Sequence, residues 1–310
     1  MILPRALRPG DPVALVCPAG PVDEQRIETA LARCRALELE PRPGRWIRAR
    51  SGYLAGSDRE RAEDLADAIA GDAAAIWAIR GGYGTFRTLE HVSLTPLLDR
   101  PRPFIGFSDN TITHLALHRM GLVSFHGPHA GHPHFPPATE RVFRSVLQEA
   151  RPAGMLPPGE EVIGPPVTLA PGVAEGPLLG GNLALLAASC GTRYQPDTRG
   201  ALLFLEDIAE PLYRIDRMLM QLRLAGLLDG IAGLVLGEFA GMPDPLLRED
   251  AGGQPCLESV LHELIAPLGV PAALGLPFGH ARENWTLPLG IRARFDAEAG
   301  TLELLEPAVG

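Results

Sequence analysis

Lysine is absent from this chain: all 28 basic residues among its 310 are arginine. Schiff-base chemistry and the phosphate-binding lysine of a P-loop are therefore excluded. Cysteine is scarce. Cys17, Cys34, Cys190 and Cys256 stand too far apart for metal-knuckle, redox or disulfide-framework spacing, and they read as reduced thiols. Long apolar runs are missing too, so no membrane-spanning helix is expected. The run Val13 to Cys17 is bounded by prolines and is too short for a secretory core. A cytoplasmic location with no membrane partner is the expectation. Positive charge is in deficit, with a net charge of −9, so the chain lacks the basic excess that phosphate contact needs. Nucleic acid is not an expected partner.

What is present suits a globular enzyme-sized chain. Hydrophobic residues make up 46% and charged residues 21%, enough for a large core and a solvated surface. Over the first half, short apolar runs alternate with helical patterns. "PVALVCPAG" reads as a strand and turn, and "VDEQRIETALARCRALELE" as a helix with Ile27, Ala30, Leu31, Cys34 and Leu37 on one face. "SDRERAEDLADAIAGD" opens with Ser57 and Glu60 spaced as a capping box. "AAAIWAIRGGYG" and "RPFIGFSD" read as strands. The expected fold class is α/β, with an N-terminal, mostly parallel, doubly wound sheet and a smaller C-terminal α/β domain with its own sheet. The boundary is expected in the stretch 151–179, which carries seven prolines between Pro152 and Pro177. Residues 1–150 would then form the first domain and 180–310 the second.

The turn "GFSDN" raises the chemical question. A strand-to-helix joint lifts its residue above the sheet edge and aims the first helical N–H groups at whatever lies there. Ser108 at that joint is either a nucleophile with oxyanion donors beside it or part of an N-cap, since Ser, Asp and Asn all cap helices. Asp109 and Asn110 can fill the capping role while Ser108 stays free. A nucleophilic serine needs a histidine and an orienting carboxylate. His280 follows an apolar strand and a glycine in "LPFGHARENWTLPLG", a strand-end position where α/β folds expose functional groups. Glu206 ends "LLFLED" in a similar position, although Glu206 or Asp207 could instead cap the following helix. The loop "RGGYGTF" lacks a complete phosphate-binding pattern, but its glycines let backbone N–H groups approach a reacting oxygen. In "HGPHAGHPH", His126, His129, His132 and His134 are irregularly spaced and interrupted by prolines. They read as a loop near the site rather than a metal centre. No metal or organic cofactor is expected.

Together and in this order, "GYLAGSDRERAEDLADAI", "IRGGYGTFRTLE", "PFIGFSDNTITHLAL", "FHGP", "GNLALLAASCGT", "LLFLEDIAEPLYRIDRMLMQL" and "PFGHARENWTLPLG" resemble the LD-carboxypeptidase family of serine peptidases (peptidase family S66), which includes the microcin C immunity peptidases. The resemblance spans about Gly52 to Gly290. It implies Ser108 as nucleophile, in Gly106-Phe107-Ser108-Asp109, with Glu206 and His280 completing the triad. It implies the N–H groups of Asp109 and Gly82 as the oxyanion hole, and a homodimer. The implied reaction is hydrolysis, through an acyl-enzyme, of the L,D-peptide bond before a terminal D-alanine in murein tetrapeptide. Arg80, Arg87 and Arg282 lie in or beside these motifs and are the candidates for the substrate carboxylate. Two other readings stand at this stage. One is an immunity peptidase cleaving an aminoacyl-nucleotide amide; no tryptophan falls between His129 and Gly180 to stack on a base, but Phe135 or a histidine could stack. The other is a non-catalytic binding protein on the same fold.

Overall fold

The structure, a computed structural model, describes residues 1–160, 164–243 and 256–310. It divides into two compact units. One comprises Met1–Pro152, Trp285–Gly290 and Pro307–Gly310; the other comprises Ala153–Asn284 and Ile291–Glu306.

The first unit alternates as the sequence pattern predicts. β1 (Pro12–Val16) leads into α1 (Glu24–Ala36), opened by Asp23, whose carboxylate accepts the Arg26 N–H. β2 (Glu40–Pro43) follows. Then comes α2 (Asp58–Ala70), where Ser57 and Glu60 make the reciprocal capping box. β3 (Ala75–Ala78), the single turns α3 (Thr85–Thr88) and α4 (Pro96–Asp99), β4 (Phe104–Gly106) and α5 (Thr111–Arg119) come next. β5 (Ser124–His126) and α6 (Pro137–Leu147) complete the run. The strands form one sheet in the order β2-β1-β3-β4-β5, all parallel, with an antiparallel strand from later in the chain beyond β5. The apolar residues of β3 are wholly buried, and Trp77 stacks on Phe143 of α6 at 4.8 Å between centroids. The loops after β1, β3, β4 and β5 all leave the carboxyl edge, where open parallel sheets place ligand-binding groups.

In the second unit β6 (Gly154–Met155), β7 (Val167–Ala170) and β8 (Val173–Asn182) precede α7 (Leu183–Ser189). β9 (Leu202–Ile208), α8 (Leu212–Leu224) and β10 (Gly233–Ala240) follow, then α9 (Leu257–Ile265) and β11 (Ala272–Gly279). β12 (Leu287–Leu289) is the strand that returns to the first unit beside β5. The hairpin β13 (Arg292–Asp296) and β14 (Thr301–Leu304) ends the list. The second sheet has eight strands in the order β6-β14-β13-β8-β9-β10-β11-β7, parallel from β8 to β11.

The stretch 151–179, expected as a linker, contributes β6, β7 and most of β8 to this sheet; residues 161–163 within it lie outside the described residues. The prolines explain how strands fit there. Pro165, Pro166 and Pro171 flank β7 and β8 rather than interrupt them, and Pro177 lies one residue before pairing with β9 begins at Leu178.

Period-two alternation sorts β9. Leu203 and Leu205 join the apolar cluster with Leu183 and Leu186 of α7 and Ile215, Leu219 and Leu222 of α8. Asp207 continues that face, and Glu206 shares the opposite face with Phe204.

Candidate active site

Ser108 begins a short 3-10 turn, Ser108–Asn110, between β4 and α5. Its φ of +59° lies in the left-handed region, one of three such non-glycine positions among the described residues. A serine avoids that region unless its surroundings enforce it. The surroundings are close. A Cβ added at Gly81 would stand 2.9 Å from Ser108 Cβ, 3.0 Å from its Oγ and 3.2 Å from Cε1 of His129. The glycine loop therefore touches the serine through bare backbone.

The capping role expected of Asp109 and Asn110 is not what the structure shows. Neither the 3-10 turn nor α5 has a side-chain cap. The buried Asp109 carboxylate instead accepts the Thr85 N–H at 2.8 Å, tying the serine turn to the glycine loop. Burial pushes its pKa up, opposed by hydrogen bonding from Thr85 and by the Arg61 charge. Asn110 turns its Nδ2 back to the Phe107 carbonyl at 3.2 Å and to His129 Nε2 at 3.0 Å.

The Gly81 carbonyl accepts the Gly20 N–H at 2.9 Å. In a trans peptide the N–H points opposite to the carbonyl, so the Gly82 N–H is directed away from Gly20. Gly82 has φ +111°, and a Cβ there would meet Gly20 Cα at 3.0 Å, so the loop needs glycine at this point.

In the second unit His280 Nδ1 donates to Glu206 Oε2 at 2.6 Å. Glu206 is fully buried and the His280 side chain is 14% exposed. Burial lowers the imidazole pKa, but the Glu206 charge, its hydrogen bond and the Asp207 charge more than offset this, so the net direction is upward. Gly279 makes the pair possible. Its φ is +94°, and a Cβ there would lie 2.6 Å from three Glu206 atoms. A bulge in β10 between Leu236 and Phe239 adjusts the pairing at this edge. Asp207, which could have capped the helix after it, instead accepts Ala184 N–H at 2.9 Å and Asn182 Nδ2 at 2.9 Å, bracing the start of α7. Burial and the neighbouring Glu206 charge push its carboxyl up to about 6.

The arginine candidates have separate commitments. Arg80 donates to the Pro21 carbonyl at 2.6 Å, and Arg87 pairs with Asp58 at 2.7 Å. Arg282 is exposed on the second unit. Fully buried Arg61, which sequence reasoning did not single out, holds Thr88 Oγ1, the Gly56 carbonyl and Asp58, fixing α3 behind the glycine loop. Among the histidines of the cluster, His126 lies in β5, His129 faces the serine turn, and His132 Nδ1 is 2.9 Å from the His134 carbonyl. Among the described residues no group of three or more His, Cys, Asp or Glu is placed to hold a metal ion. Nor, among them, is any helix long and apolar enough to cross a membrane.

Family models match both halves of the chain: the LD-carboxypeptidase N-terminal domain over residues 13–127 and the LD-carboxypeptidase C-terminal domain over residues 175–295. A probable murein peptide carboxypeptidase of Bacillus subtilis is 37% identical over 304 residues, 96% of this chain and 92% of that protein. Among solved structures, a muramoyltetrapeptide carboxypeptidase from Oxalobacter formigenes superposes with a TM-score of 0.80 at 30% identity, covering 94% of this chain and 97% of that one. The microcin C7 self-immunity protein MccF, in complex with aspartyl sulfamoyl adenosine, superposes with a TM-score of 0.87 at 22% identity over the whole of both chains, a likeness of fold. With both family models matched in order and a relative of this identity along nearly its full length, the chain belongs to the LD-carboxypeptidase family.

Proposed function

We propose that this chain is a serine carboxypeptidase that hydrolyses the L,D-peptide bond before a terminal D-alanine in murein tetrapeptide. The observation that carries the reading is Ser108, held at φ +59° against bare glycine backbone at the carboxyl edge of a parallel sheet. The names of the relatives in Bacillus subtilis and Oxalobacter formigenes support the substrate class.

In this reading Ser108 Oγ attacks the scissile carbonyl. His280 has committed its Nδ1 proton to Glu206, so Nε2 is the atom that takes the serine proton. Glu206 fixes the tautomer and stabilises the imidazolium. The tetrahedral oxyanion is met by the N–H groups of Asp109 and Gly82, donors worth about 3 kcal/mol each in such sites. His280 then protonates the departing D-alanine amine, and water activated by the same nitrogen releases the acyl group. Arg80, Arg87 and Arg282 remain the proposed sources of positive charge for the substrate carboxylate. The proposal includes a cytoplasmic homodimer, which light scattering and cell fractionation would check.

The test is mass spectrometry of products from murein tetrapeptide, with wild type and Ser108→Ala side by side. Release of D-alanine by wild type alone supports the reading. An aminoacyl-nucleotide amide run in parallel separates it from the immunity-peptidase activity. For that activity an exposed stacking ring would be expected. Trp77 and Trp285 are buried, Trp46 donates to Glu63, and Phe135 lies 4.6 Å beneath the Arg33 guanidinium, whereas Tyr83 of the glycine loop and Tyr53, set edge-on at 5.7 Å, are exposed rings, so the parallel assay decides between the two activities. Cleavage of neither compound, with no change on Ser108→Ala, would leave a binding protein.

A further inference from the structure

We infer that His129 is a positioning residue for Ser108, an inference that rests on the proposed serine mechanism. Its Nε2 lies 3.0 Å from Asn110 Nδ2, 3.4 Å from the Phe107 N–H and 3.1 Å from the Phe107 carbonyl. The direction of these bonds can be worked out. Asn110 Nδ2 also faces the carbonyls of Phe107 at 3.2 Å and Arg80 at 3.5 Å, so the amide nitrogen, not the amide oxygen, occupies that position, and its two hydrogens serve the two nearest acceptors, His129 Nε2 and the Phe107 carbonyl. The Phe107 carbonyl already accepts both Asn110 Nδ2 and the Asn110 backbone N–H at 3.2 Å. Nε2 is thus met by two N–H donors and by a carbonyl whose two lone pairs are taken. It acts as an acceptor, which requires a neutral ring protonated at Nδ1.

The acceptor is held by a built frame rather than by chance. The Trp77 indole N–H donates to the Pro128 carbonyl at 2.8 Å. Arg33 donates to the carbonyls of His129, Ala130 and His132 at 3.1, 2.7 and 2.6 Å. The Ala130 and Gly131 N–H groups run back to the carbonyls of Ala78 and Ile79 at 3.0 and 3.2 Å. The His129 ring then packs on Phe107 at 4.2 Å between centroids. His129 therefore grips the residues on both sides of Ser108, Phe107 before it and Asn110 two positions after. It also stands beside the same point of Gly81 that touches the serine. A left-handed serine persists only while its neighbours hold it, and this ring supplies one of the holds.

The test combines kinetics with the tautomer. His129→Leu should lower kcat by about 10- to 100-fold while KM stays within about twofold, because the loss falls on alignment rather than on substrate contact. His129→Gln, whose Oε1 can accept from Asn110, should recover activity to within about threefold of wild type. Long-range proton–nitrogen correlation on the wild-type protein at neutral pH should find the His129 ring unprotonated at Nε2. A proton on Nε2, or a folded His129→Leu protein with wild-type kcat, would overturn the inference. A wild-type protein that releases no D-alanine counts instead against the proposed function, and the nitrogen spectrum still judges the geometry.

Discussion

Glu206 and His280 are 74 residues apart in the chain and 2.6 Å apart in the structure, joined across strand ends of one sheet. The carboxylate is fully buried, so its charge acts on the imidazole with little solvent screening. Glu206→Gln keeps the shape and removes the charge. In the proposed mechanism kcat/KM should fall on the order of 10³-fold or more, as when a triad carboxylate is neutralised elsewhere. The sign of the pH effect follows from the shift. The base works as neutral imidazole, and the Glu206 charge holds its pKa up. Removing that charge lowers the pKa, so the residual activity should persist to lower pH than in wild type. Rates measured across the acid limb for both proteins check this; an acid limb that stays in place would count against Glu206 as the source of the shift.

Gly279 is the residue that lets the pair meet. In Gly279→Ala the new methyl would stand 2.6 Å from Glu206 Cβ, Cγ and Oε2, and the backbone would keep a left-handed φ. Gly200→Ala provides the comparison: its φ is +73°, with nothing within 4 Å of the added carbon. Both should lose about 1–2 kcal/mol to backbone strain. Only Gly279→Ala should also displace the carboxylate, with a further fall in activity of about 10²-fold. Thermal melting and turnover of the two variants separate the terms, and equal activities would remove the steric argument.

The elements and the strand-to-helix turn were legible because they rest on local pattern. Apolar periodicity located the strands and helices. Ser57 and Glu60 declared the start of α2, and "GFSDN" marked a strand-to-helix joint. Side-chain partners across the fold left no such trace. Asp109 looks like a cap because capping is the local use of an aspartate before a helix, yet its partner is Thr85, 24 residues earlier. His129 reads as one member of an irregular histidine run; only the register of β5 beside β4 brings it to Phe107 and Asn110. The prolines of 151–179 suggested a linker because proline breaks ladders, but Pro165, Pro166 and Pro171 sit at strand ends, where they cost few sheet hydrogen bonds, and Pro177 alone of these lies inside a strand, opposite Arg292. Buried Arg61 looked like any helix arginine beside Asp58, and its one distant partner, Thr88, lies 27 residues later.

Gly81→Ala probes the other half of the proposed machinery. No left-handed φ is involved here, so the substitution adds volume without backbone strain. That volume falls 2.9 Å from Ser108 Cβ and 3.0 Å from its Oγ, and Ser108 is itself held in a strained turn. The expected result is a protein that melts within about 4 °C of wild type, the scale of roughly 1 kcal/mol for a domain this large. Its kcat/KM should fall about 10²-fold because the serine is pushed from its aim. Wild-type kcat/KM in a folded variant would show that the glycine loop does not set the position of Ser108.

Asp109 allows the brace to be separated from the proposed oxyanion donor. Its backbone N–H survives replacement by alanine, so Asp109→Ala tests only the carboxylate that holds Thr85 N–H. Asp109→Asn keeps an acceptor oxygen at that point. If the brace aligns the glycine loop, the alanine variant should lose about 10-fold or more in kcat while the asparagine variant stays within about fivefold. Stability provides an independent reading. Burial raises the folded-state pKa of this carboxyl above its unfolded value near 3.8. A raised carboxyl contributes stability at low pH and loses it as pH rises through the folded pKa. Asparagine does not titrate, so the melting temperature of Asp109→Asn relative to wild type should climb as pH increases from about 4 upward, whatever the offset between them. A difference that is flat with pH would mean that the carboxyl is ionised at little cost, and that its hydrogen bonds, rather than burial, govern it.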